Sequence, residues 1–144
     1  MTGTYEEYKA AIRQYEASGN YSFLNPDWGF AGAYQFTEDA LNRIGYYNGD
    51  STTSWPNDWT GSWSGKDGID SLSEFLNQPS VQDEAFLDMQ QWVWNTAFRD
   101  FDPRSYIGQT IDGVKVTEAG LLAGAHLVGA PALLVLRLLE EVLL

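Results

Sequence analysis

Glu16 stands where a carboxylate does little for stability and could do chemistry. Thr4 with Glu7 makes a capping box, and Tyr5, Tyr8, Ile12 and Tyr15 recur at helical spacing, so a first helix is predicted from about Tyr5 to Ala17. Gly19-Asn20 is its stop signal. Glu16 then lies in the last turn, where the helix dipole disfavours an anion. Its neighbours include Tyr15, Tyr21, Phe23 and Trp28, and burial among such rings would fit a carboxyl for general-acid work. The same position also suits a solvated glutamate near a helix end.

Other chemistries find fewer residues. The chain has no cysteine and a single histidine, so thiol nucleophiles, disulfides and thiolate or two-histidine metal sites are excluded. There is no G-x-S-x-G elbow, no phosphate-binding glycine loop and no H-E-x-x-H. Asp50, Asp58, Asp67 and Asp70, with the Asn and Gly residues around them, could bind calcium but do not follow the EF-hand order. No metal and no cofactor is assigned. Carboxylate chemistry remains.

The elements that must position Glu16 read as mainly α. After a Gly/Asn/Pro-rich loop from Asn20 to Ala33, Thr37-Glu38-Asp39 opens a short helix that Gly45 closes. Tyr46 to Ile69 is rich in Gly, Ser, Asn, Asp and Trp, with Trp55, Trp59 and Trp63 evenly spaced. A flexible linker would not carry these rings, so they pack onto the body or line a groove. Ser71 with Glu74 starts a brief helix, Pro79-Ser80 interrupts it, and Val81 to about Phe98 reads as a long core helix. Asp112-Gly113 between β-branched residues predicts a small β-hairpin over Thr110 to Val116. Thr117 caps a helix through about Val128, and Gly129 ends it. Pro131 begins a Leu-rich terminal helix, about 131–144, whose broad apolar face packs on the body or forms a dimer interface.

Length and charge bound the partners. A chain of 144 residues points to one domain, 1–144, with a real core. Eight Lys and Arg against twenty Asp and Glu give a net charge of -12, which repels nucleic acid. No apolar run reaches the roughly 20 residues of a membrane span. The first residues, Met1 to Glu7, have neither the basic start nor the apolar stretch of a secretory signal, so any export would use another route or a further segment. Aromatic residues make up 15%, including six Trp and eight Tyr; flat rings with polar edges suit sugars, though they also plug small loop-rich cores.

Three blocks of sequence carry a family resemblance. Glu16-Ala17-Ser18-Gly19-Asn20-Tyr21 and Gly29-Phe30-Ala31-Gly32-Ala33-Tyr34-Gln35-Phe36 resemble the E-S-x-x-N and G-x-x-G-x-x-Q blocks of lytic transglycosylases in the lysozyme superfamily. Ala125-His126-Leu127-Val128-Gly129 resembles that family's A-Y-N-x-G block, with His in place of Tyr. The stretch Asn57 to Gly68 resembles an insert of a bacterial lysozyme-like, peptidoglycan-binding subgroup. Ala17 stands where the family has Ser, and His126-Leu127 replaces Tyr-Asn.

The resemblance implies a lysozyme-like fold, mainly α, with a small hairpin and a Trp/Gly-rich insert. It implies cleavage of the β-1,4 bond between N-acetylmuramic acid and N-acetylglucosamine in peptidoglycan, at a cell wall outside the cytoplasm. Glu16 would be the catalytic acid and base. Tyr34, Gln35 and Trp28 would line the glycan groove, Ser18 and Asn20 would position Glu16 or the sugar, and His126 would hydrogen-bond near the acid. Gln35 could instead cap backbone in its loop, and His126 could be a core histidine. The alternatives are a hydrolysing muramidase, with Asp27 activating water, and a non-catalytic glycan-binding or assembly scaffold that self-associates through its Leu-rich tail.

Overall fold

Helix α1 runs over Tyr5–Ala17, the span predicted from its periodicity, and buries Lys9, Ile12 and Ala17. These spacings place one face of the helix inward, as amphipathic packing requires. The computed structural model describes residues 5–50, 57–100 and 102–128. Thr4 of the capping box, Trp55, Gly129 and the expected terminal helix lie outside the described residues. The chain divides into two units, Met1–Met89 and Gln90–Leu144.

In the first unit, a loop leads from α1 to α2, Glu38–Arg43, whose N-cap is Thr37 as expected. The Thr37 hydroxyl accepts the Ala40 N–H at 3.0 Å, satisfying an otherwise orphaned donor. Strand β1, Tyr47–Gly49, pairs antiparallel with β2, Ser62–Trp63. The Trp-rich stretch thus supplies both strands of a short ribbon. Its rings pack: Trp59 stacks on Trp63 at 5.7 Å, both meet Tyr47 edge-on, and Trp63 reaches Phe75. Helix α3, Leu72–Leu76, is capped by Ser71, which accepts the Glu74 N–H. Helix α4 begins at Pro79 itself, not two residues later. Pro79 occupies the first helical position, where its missing N–H and fixed φ carry no penalty. The core of this unit gathers Tyr34, Phe36, Leu41, Tyr46, Ile69, Phe75 and Phe86, all at most 4% exposed.

The second unit takes up the end of the same helix. α4, Pro79–Trp92, passes into a π-helical turn, Val93–Ala97, and then α5, Phe98–Asp100. The expected continuous helix therefore carries a π turn that its apolar spacing did not show. Arg104 donates to the Trp94 carbonyl at 3.0 Å and lies over its ring, giving that carbonyl a partner outside the α pattern. Strands β3, Thr110–Ile111, and β4, Val114–Lys115, form the expected hairpin, with Asp112 and Gly113 both at positive φ. Helix α6, Glu118–Val128, starts after Thr117, whose hydroxyl accepts the Gly120 N–H. Phe98 and Ala125 centre a small apolar cluster with Val93, Trp94, Ala97, Leu121 and Leu122.

Among the described residues the architecture is mainly α with two small antiparallel ribbons. No helix among the described residues is long and apolar enough to cross a membrane.

Candidate functional site

Glu16 is the penultimate residue of α1 and is half-buried. The helix ends abruptly behind it. Ser18 at φ 51° and Gly19 at φ 77° are both left-handed, and the Gly19 N–H bonds the Arg13 carbonyl at 3.0 Å. A serine in that region is strained, and the surroundings must hold it. Asn20 follows: its side-chain oxygen accepts the Ser22 N–H, turning the chain into the next loop.

That loop carries Gln35 on a four-residue turn. Ala31 and Phe36 exchange two backbone hydrogen bonds, at 2.9 and 2.8 Å, enclosing Gly32-Ala33-Tyr34-Gln35. Gln35 takes φ 53°, and its amide donates to the carbonyls of Gly32 and Phe30. Gln35 thus caps its own loop, the bland role left open from sequence. Gly32 is required here on two counts: its φ is +78°, and a Cβ would come within 2.2 Å of the Gln82 side chain. Gln82 fills that space. Fully buried, it accepts the Ala33 N–H at 2.9 Å and donates to the carbonyls of Tyr21 and Phe75. One side chain from α4 therefore bonds the backbone of three separate places, the Gln35 turn, the loop after α1 and the end of α3.

Tyr34 lies in the core at 1% exposure, stacked on Phe86 with ring centres 4.3 Å apart. Its hydroxyl donates to Asp83 at 2.5 Å and accepts from Arg13 at 2.7 Å. Tyr21 donates to the same Asp83 oxygen at 2.8 Å, and the Arg13 guanidinium stands 3.5 Å from it. Burial raises the Tyr34 phenol well above its ordinary value; the bond to Asp83 adds to this, and Arg13 opposes it. The part of Tyr34 available to a glycan is accordingly small. Gln82 and Asp83 were not singled out from sequence; they read only as polar positions on a long helix.

Trp28 is placed differently, 53% exposed on the tip of a second turn. Asn25 accepts the backbone N–H groups of Asp27 and Trp28, and Asn57 donates twice to the Trp28 carbonyl, from its backbone and its side chain. Gly29 is needed because a Cβ would meet the Asn57 carbonyl oxygen at 2.1 Å. The Trp59 indole adds a bond to the Gly29 carbonyl. An exposed indole on so fixed a backbone suits contact with the apolar face of a sugar. Asp27, on the same tip, is exposed. Tyr15, beside Glu16, is 75% exposed. His126 lies on α6 in the second unit and is half-buried; Gly129 of its block is outside the described residues.

Of the acidic residues considered for calcium, Asp50 and Asp58 meet Glu38, with one oxygen from each within 4.8 Å of the others. Asp67 instead accepts the Tyr46 hydroxyl, and the Asp70 N–H bonds Glu74. The three grouped carboxylates already face protein donors: Glu38 accepts the Trp59 N–H, Asp50 the Tyr47 hydroxyl, and Asp58 the Thr60 N–H and hydroxyl. Burial raises the Glu38 carboxyl above its ordinary value, the Trp59 N–H opposes this, and the charges of Asp50 and Asp58 add to it.

No family model, curated protein or solved structure matches the chain.

Proposed function

We propose that the chain is a peptidoglycan-cleaving glycosidase of the lytic transglycosylase type, acting on the β-1,4 bond between N-acetylmuramic acid and N-acetylglucosamine. The observation that carries this reading is the setting of Glu16. It is half-buried at the end of α1, and the strained Ser18-Gly19 turn follows at once. The block resemblances at Glu16–Tyr21 and Gly29–Phe36 fall on that turn and on the loop that Gln82 organises.

In this reading Glu16 donates its proton to the glycosidic oxygen as the bond to the muramyl C1 breaks. The resulting carboxylate takes the proton of the muramyl 6-hydroxyl, which closes on C1 as a 1,6-anhydro ring. One carboxylate serves both steps, so no second one is needed across the sugar. Trp28 offers an exposed ring for a neighbouring sugar, and Asn20 and Ser18 shape the helix end beneath Glu16.

The test is mass spectrometry of purified peptidoglycan after incubation with the protein and with Glu16→Gln. Anhydromuropeptides from the unmodified protein alone are expected, with unchanged thermal unfolding in the variant. Reducing-end products would make the chain a hydrolysing muramidase, and no products from folded protein would make it a glycan-binding scaffold.

A further inference from the structure

We infer that Asp83 is the positioning residue of this site, holding the helix end that carries Glu16 against the turn that carries Gln35. The inference rests on the reading of Glu16 as the acid. Asp83 belongs to α4, yet one of its oxygens collects the hydroxyls of Tyr21 and Tyr34 and lies 3.5 Å from the Arg13 guanidinium. Each donor comes from a piece of the candidate site. Arg13 precedes Glu16 by one helical turn on the same face of α1, Tyr21 directly follows Asn20, and Tyr34 directly precedes Gln35.

The network closes on itself, because Arg13 also donates to the Tyr34 hydroxyl at 2.7 Å. Charge-assisted bonds of this kind fix direction as well as distance. Asp83 also pairs with the Arg13 charge one turn from Glu16. A cluster needed only for core stability could be apolar, since Tyr34 already stacks on Phe86. Two hydroxyl donors and an ion pair converging on one partly exposed carboxylate instead set where the segments lie relative to one another.

The experiment compares the whole chain with Asp83→Asn and Tyr34→Phe on soluble, uncrosslinked glycan strands, reading kcat and KM separately alongside circular dichroism and thermal unfolding. The expected result for Asp83→Asn is a kcat lower by about tenfold to a hundredfold, with KM within about twofold. Tyr34→Phe should lower kcat in the same way but less, and should add little in the Asp83→Asn background, because both changes break one network. If Asp83→Asn fails to fold, Tyr34→Phe with Tyr21→Phe carries the test through the same kcat loss. Unchanged kcat in folded variants, or a loss accounted for by the unfolded fraction, would overturn the role of Asp83. Absence of turnover in the unmodified protein would overturn the reading of Glu16 and this inference with it.

Discussion

Gln82 is a buried amide whose value lies in the backbone it satisfies. Replacing it with Leu keeps the volume but takes this partner from the Ala33 N–H and the Tyr21 carbonyl, while the Phe75 carbonyl keeps the Gln78 N–H. Each unsatisfied buried group costs about 1–3 kcal/mol, so Gln82→Leu should lose about 2 kcal/mol or more in urea denaturation. A loss below 1 kcal/mol would show that the loop holds itself. Gly32 belongs to the same contact, since any side chain there would displace the Gln82 amide. The sequence displayed Gly29, Gly32 and Gln35 at regular intervals, but not what they pack against. The partners of the two glycines, Asn57 and Gln82, are distant in the chain, and neither was tied to them by spacing. Glu16 was legible because its oddity is local: it is an acid in the last turn of a helix whose ends can be read from caps and stops.

At the scale of elements, the segment from α2 to β2 is tied together by polar contacts as much as by rings. Asn57 accepts the Glu38 N–H at the start of α2, and Glu38 accepts the Trp59 N–H in return. Burial and the charges of Asp50 and Asp58 both work against the ionised form of Glu38. Its folded-state value lies above the unfolded one, so protonation favours the fold. That contribution is full below the ordinary carboxylate range and is lost as pH rises through the raised value. Glu38→Gln retains an acceptor for the Trp59 N–H and should raise Tm at pH 7 by about 1–3 °C, a modest gain because solvent screens the group. The difference should shrink at about pH 3, below the ordinary carboxylate range. A variant less stable at both pH values would show that the charge is needed in place. The β1–β2 ribbon was not legible in sequence, because its two strands are short and the excursion between them has no alternating pattern. The β3–β4 hairpin was, because its two-residue turn declares itself through Asp112-Gly113.

For the whole molecule, charge is the property most open to test. A net charge of -12 opposes anionic wall polymers at long range. Arg13 is paired with Asp83 and Arg43 with Asp39, so neither offers an uncompensated basic centre. If the chain acts on peptidoglycan as proposed, its binding should therefore strengthen as sodium chloride rises from about 10 mM to about 150 mM, where screening acts within about 8 Å. A steep fall over that range, measured by co-sedimentation, would require a basic patch facing the glycan. The sequence by itself determined the features that depend on near neighbours: the span of α1, the Thr37, Ser71 and Thr117 caps, the hairpin, and the place of Glu16 at a helix end. Caps, turns and helical periodicity are settled within a few residues. The tertiary structure decided what depends on distant ones. It placed Tyr34 inside and Trp28 outside, made Pro79 a helix start, and joined Arg13, Tyr21 and Tyr34 on Asp83. A polar side chain on a helix faces either water or a buried partner according to what the rest of the chain brings to it, and spacing along the sequence does not carry that information.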